Sequence, residues 1–111
     1  MGQIRNLSQT LNLVEAPQDW GITNSDPARV GEFLHFCESV PLTAAQQFAM
    51  GELVLASMND ALVEGADGVD YLERFLALGL LGLPQHVRYW SSLDDEEFPI
   101  AARLRGSSIQ A

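Results

Sequence analysis

Residues 43–65 read TAAQQFAMGELVLASMNDALVEG, and this stretch decides the fold. Thr43 and Gln46 stand three apart, as a capping box requires. The hydroxyl takes a first-turn backbone N–H that has no helical partner, and the glutamine side chain reaches back to the threonine N–H. Phe48, Leu55 and Leu62 then recur every seven residues, with Ala45, Leu53 and Met58 beside them. That is the spacing of a helical face. Gly65 follows where a left-handed residue commonly ends a helix. The pattern predicts a helix over 44–64.

Upstream, Ser25-Asp26-Pro27 places a capping side chain before a proline at the first helical position, where its missing N–H costs nothing. Val30, Phe33, Leu34 and Cys37 follow at helical spacing, so a second helix is expected over 27–39, stopped by Pro41. Ile4, Leu7, Leu11 and Val14 suggest another over 3–15. Residues 16–24 read as a loop around Pro17, with Trp20 and Ile22 tucked against the body.

Downstream, a helix is expected from Asp67 or Gly68, with Val69, Leu72, Phe75, Leu76 and Leu80 on one face and Gly79 and Gly82 weakening its end. Val87, Trp90 and Leu93 give a short helical segment from Pro84, joined by His86 and Tyr89. Asp94-Asp95-Glu96-Glu97 has the composition of an acidic first turn, where carboxylates favour the positive end of the helix dipole. Pro99 is awkward inside such a helix, so an extended Phe98–Leu104 is the alternative. Residues 106–111 are expected to be disordered. With no hairpin signal and no internal repeat, the expectation is all-α. One domain spans 1–111 as a small bundle of four to six helices, with 1–24 partly irregular.

The chain has 111 residues, 47% of them hydrophobic, which is enough to fill a core. It carries 15 acids against six basic residues, for a net charge of −9. All six bases are arginine: Arg5, Arg29, Arg74, Arg88, Arg103 and Arg105. A lysine-free chain forms no Schiff base, offers no P-loop lysine and has no lysine general base. Six scattered arginines in an acidic field do not build a phosphate-tracking surface, so no nucleic acid is expected.

Cys37 is the single cysteine and forms no internal disulfide. Residues 1–20 lack the apolar core of a secretory signal, and Asn6 stands where a myristoylation motif wants Ser or Thr. The longest apolar run, Phe75–Leu83, is far shorter than the roughly 20 residues of a membrane span. A cytoplasmic protein with no membrane partner is expected.

Catalytic patterns are missing. On a helix, His35 and Cys37 point about 200° apart and form no dyad; Cys37 reads instead as a buried small hydrophobe beside Phe33 and Leu34. No zinc-ligand spacing occurs among two histidines and one cysteine. Glu64, Asp67, Asp70 and Glu73 recur every three residues, but neither glycine register gives calcium-loop ligands. Phosphate-binding glycine loops are absent. No catalytic residue, metal or cofactor is expected, and the chain reads as a non-enzyme.

Charge is the remaining signal. Between Arg29 and Arg74 lie eight acids and no Lys or Arg: Glu32, Glu38, Glu52, Asp60, Glu64, Asp67, Asp70 and Glu73. With Asp94–Glu97 these are twelve of the fifteen carboxylates. Solubility alone accounts for such a charge, and so does steering toward a basic partner. Arg88-Tyr89-Trp90 stands just before the four-acid run, and those three residue types dominate binding hot spots. Trp90 is expected in the core, with Arg88 and Tyr89 exposed. The leading expectation is an acidic binding protein that masks a basic partner, such as an immunity protein neutralising a bacterial toxin. Its contacts would come from Glu52, Asp60, Glu64, Asp67, Asp70, Arg88, Tyr89, Asp94, Asp95, Glu96 and Glu97. The alternative is an acidic secretion chaperone or homodimeric scaffold using 75–83 and helix 44–64. A small-ligand domain or enzyme comes third, marked by a polar pocket that pairs His35 or His86 with a carboxylate.

Overall fold

A computed structural model describes residues 2–16, 19–65 and 69–106. Its helices are α1 (Gly2–Leu11), α2 (Trp20–Thr23), α3 (Val30–Ser39), α4 (Ala44–Val63), α5 (Val69–Ala77), α6 (Leu83–Ser91) and α7 (Ile100–Arg105). The chain is all-α: seven α-helices and no strand are present among the described residues. None of these helices is long and apolar enough to cross a membrane.

The capping box forms as the sequence predicts. Thr43 Oγ1 accepts the Gln46 N–H at 3.2 Å, and Gln46 Oε1 accepts the Thr43 N–H at 3.0 Å. Glu64 caps the other end, and Gly65 follows at φ +96°, in the region where a Cβ is penalised. Between these ends, every residue from Leu53 to Asn59 is buried. A helix buried on consecutive residues has neighbours all round, and each of the other six packs against α4. The heptad residues are therefore not equivalent. Leu55 is fully buried, Leu62 is half-buried, and Phe48 is 47% exposed on the first turns.

Polar side chains on this central helix fasten its neighbours. Glu52 Oε1 accepts the Gly21 N–H of α2 at 2.9 Å. Ser57 Oγ accepts the Asp26 N–H, Asp60 accepts the Ser25 hydroxyl at 2.7 Å, and Asn59 Oδ1 accepts the Ile100 N–H of α7. Each bond satisfies a backbone or hydroxyl donor that would be costly to bury unpaired.

Several boundaries differ from the sequence reading. The first helix stops at Leu11 because Asn12 turns left-handed at φ +57°, which leaves Val14 outside and exposed. The supposed loop around Pro17 contains α2. Trp20 is buried there, its indole N–H donating to Ser8 Oγ at 2.8 Å, whereas Ile22 is exposed rather than tucked in. Asn24 ties this region together by accepting the Val14 N–H and donating to the carbonyls of Val14 and Trp20. The helix expected over 27–39 begins as a 3₁₀ turn, Pro27–Arg29, capped by Asp26, and continues as α3.

At the C-terminal end, Phe98–Leu104 is not extended. Pro99 sits just before α7 at φ −58°, an entry position that suits its fixed torsion. The acidic run is consequently not the first turn of this helix; residues 95–97 form a separate turn ahead of it. Gly79 and Gly82, at φ +60° and +86°, make the corner between α5 and α6. The expected helix start at Asp67 or Gly68, and the tail 107–111, lie outside the described residues.

Candidate functional site

α1, α2 and the first turns of α4 enclose an open cleft of about 750 Å³. Its apolar lining is Ile4, Ala16, Ala49 and the exposed Phe48, with Trp20 and Ser8 behind. The charged lining is Arg5, Glu15, Asp19 and Glu52. Arg5 Nε donates to Glu15 at 2.9 Å, so that cation is locally compensated. Asp19 precedes α2 in a left-handed conformation, φ +53°, and its side chain makes no capping hydrogen bond. Glu52 is held in place by the Gly21 N–H.

That hold follows from close packing. A Cβ on Gly21 would lie 2.7 Å from Leu53 N and from the Glu52 side chain. Glycine thus lets the α2 backbone rest on α4, and the Glu52 carboxylate meets an N–H that α2 leaves available. On the other side, Phe48 stacks obliquely on His86 at 4.3 Å between centroids and covers Gly82.

Among the residues expected to bind a partner, Glu52 lines the cleft and Asp60 holds Ser25 about 12 Å further along the helix at 1.5 Å per residue. Glu64 is exposed at the end of α4. Asp67 lies outside the described residues, and Asp70 is placed only as a backbone position of α5. Arg88 and Tyr89 are exposed on α6, while Trp90 is buried, with Tyr89 and Phe98 set edge-on to it. Asp94, Asp95, Glu96 and Glu97 are all exposed. Asp94 Oδ1 accepts the Glu96 N–H, and Asp95 pairs with Arg105 at 2.6 Å. Arg105 also donates to the carbonyls of Ser91 and Leu93, so one guanidinium braces the whole turn. Arg105 ties the 94–97 turn to the end of α6, and Glu52 lines the cleft instead.

The sequence reading missed Ile4, Glu15 and Asp19, because nothing in the local pattern announces that α2 bends back over α4. It groups Phe48 with Leu55 and Leu62 on one helical face, and heptad spacing cannot show that Phe48 stays 47% exposed while Leu55 is fully buried.

Of the remaining reactive groups, His86 and Cys37 are taken up by the fold. His86 is buried, and its Nε2–H donates to the Phe48 carbonyl at 2.8 Å. Burial pushes its pKa down, opposed by that hydrogen bond and by the Glu52 charge. Cys37 is half-buried rather than fully so, and burial, aided by Glu38, raises its thiol to about 12. A thiol so shifted stays protonated and unreactive. His35 lies on the exposed side of α3, 3.5 Å from Ser39 Oγ. Among the described residues no cluster of three or more metal-ligating side chains occurs.

No family model, curated protein or solved structure matches the chain.

Proposed function

We propose that this chain is a non-enzymatic acidic binding protein whose partner is a basic protein, and that it works by covering that partner's cationic surface. The observation that carries the reading is how the arginines are used. Arg5, Arg29, Arg74 and Arg105 are each paired with a carboxylate. Hydrogen bonds from Arg29 and Arg74 hold the Glu32 and Glu38 carboxyls below their ordinary range. Glu64, Glu73, Glu96 and Glu97 stand exposed with no ion pair among the described residues. The surplus negative charge is thus at the surface, where it steers an oppositely charged protein.

An immunity protein that neutralises a bacterial toxin is the member of this class we favour, because occlusion needs no chemistry beyond shape and charge. The scaffold reading has less support, since Phe75, Leu80 and Leu83 of its supposed interface are buried in the chain's own core. The test is capture of partners from the source organism, followed by association kinetics with the captured protein. The expected partner is basic, and its association rate falls about tenfold or more between low and physiological salt. A neutral or acidic partner, or a rate indifferent to salt, overturns the proposal.

A further inference from the structure

We infer that the cleft between α1, α2 and α4 is the docking site for one particular element of that partner: an apolar segment flanked by lysine or arginine. The inference rests on the acidic-binder reading and narrows it to a place. Three observations converge there.

The first is shape. The cleft holds about 750 Å³, within the range of pockets that enclose several side chains. The second is its lining. Phe48 keeps nearly half its surface exposed although it belongs to the most buried helix of the fold. Ile4, Ala16 and Ala49 complete an apolar wall beside it. An aromatic anchor in a concavity, ringed by polar groups, is the usual composition of a binding hot spot.

The third is charge. Among the described residues the rim carries Glu15, Asp19 and Glu52 against Arg5, and Arg5 is already paired with Glu15. Asp19 and Glu52 are left without a cation among the described residues, two negative charges at the edge of an apolar wall. Glu52 is positioned by the Gly21 N–H, and Asp19 is set at the head of α2 without capping it. A partner side chain of the aliphatic-ammonium or guanidinium type fits this rim: its stem lies on the apolar wall while its head reaches a carboxylate. An acidic segment would meet like charge, and a wholly polar basic one would leave Phe48 uncovered.

The probe is a short synthetic peptide in which lysines flank a leucine–phenylalanine centre. It is titrated into the isotope-labelled full chain and followed by amide chemical shifts. The expected result is perturbation centred on Ile4, Asp19 and Ala49, with the 94–97 turn unmoved. Asp19→Asn, which keeps a residue tolerant of left-handed backbone, should weaken the peptide several-fold, and Phe48→Ser about tenfold. Glu96→Gln with Glu97→Gln should leave its affinity within twofold. Asp19→Asn disturbs no packing, so it decides the matter should Phe48→Ser fail to fold.

Shifts centred on 88–97, no binding at all, or equal binding of a peptide whose leucine and phenylalanine are replaced by serine would overturn the cleft while leaving the salt-dependent partner in place. Equal binding of a glutamate-flanked peptide would overturn both.

Discussion

The acids of α4 and the acids of the 94–97 turn carry the same charge and have different roles. Glu52 and Asp60 are half-buried and accept hydrogen bonds from α2 and Ser25, across more than thirty residues of sequence. Glu96 and Glu97 are exposed, and of the four acids in that turn Asp95 is the one with an arginine partner among the described residues. Net charge counts both kinds equally. The comparison teaches that acidity in a small helical domain has an architectural share and a share left for solvent or a partner, and that Glu52, whose Oε1 takes the Gly21 N–H at the edge of the cleft, belongs to both. The first reveals itself as stability and the second as association kinetics.

The largest effect is expected where an architectural acid meets its close-packed donor. Gly21→Ala puts a methyl 2.7 Å from the Leu53 backbone nitrogen, which cannot move without disturbing the central helix. α2 must lift, taking the Gly21–Glu52 bond and the seat of Trp20 with it. Overpacking of this kind costs about 1–3 kcal/mol, and the lost hydrogen bond places the change at the upper end. Glu52→Ala leaves the packing and removes only the acceptor, so about 1 kcal/mol is expected. Urea unfolding of both variants checks the order. A Gly21→Ala midpoint equal to wild type would show that α2 is not seated on α4 as described.

The same residues explain what was legible in the sequence. The capping box at Thr43 and Gln46 and the Asp26-Pro27 start are local, set by side chains bonding to backbone within three residues, and the stop at Gly65 is a glycine's left-handed backbone, so each can be read directly. The apolar periodicity of 69–80 and of 84–93 gave helices for the same reason. α2 could not be read this way. Its single turn is too short to be stable alone and exists because Trp20 finds Ser8 and Gly21 finds Glu52, contacts 12 and 31 residues away. The cleft depends on α2 and was invisible with it. Of its lining, the sequence marks Glu52 alone as a partner contact, and for its charge rather than its place.

A smaller effect is expected from pH, at the histidine packed against α4. His86 is buried against Phe48 beside Gly51, where even a Cβ would come within 2.7 Å of the imidazole. Burial lowers its pKa from the ordinary 6.5, so the unfolded chain takes up a proton more readily than the folded one. Stability is therefore whole above about pH 6.5 and declines as the pH falls from there toward the depressed folded value. The carboxyls of Glu32 and Glu38, lowered by their arginines, add a second loss below about pH 4.5 with the same sign. Urea midpoints measured from pH 7.5 to 5.0 should fall, and His86→Gln, which retains a donor for the Phe48 carbonyl, should flatten the decline. A wild-type midpoint constant over that interval would contradict the burial of a neutral imidazole.

The smallest effect is expected where the charge is largest per residue. Glu96→Gln with Glu97→Gln removes two exposed carboxylates that no described side chain engages, so stability should change by less than about 0.5 kcal/mol. Relief of repulsion within the four-acid turn makes a slight gain the expected sign. Asp95→Asn breaks the Arg105 pair but leaves that guanidinium on the Ser91 and Leu93 carbonyls, and an exposed pair contributes at most about 1 kcal/mol. The order among these variants matters more than any single value. Should neutralising 96 and 97 unfold the chain as readily as Glu52→Ala, the turn would be part of the architecture and the charge it adds would not be free for a partner. Should it leave stability intact and slow association with a captured basic protein at low salt, the division between the two kinds of acid holds. The 94–97 turn would then guide the partner in, and the cleft would grip it.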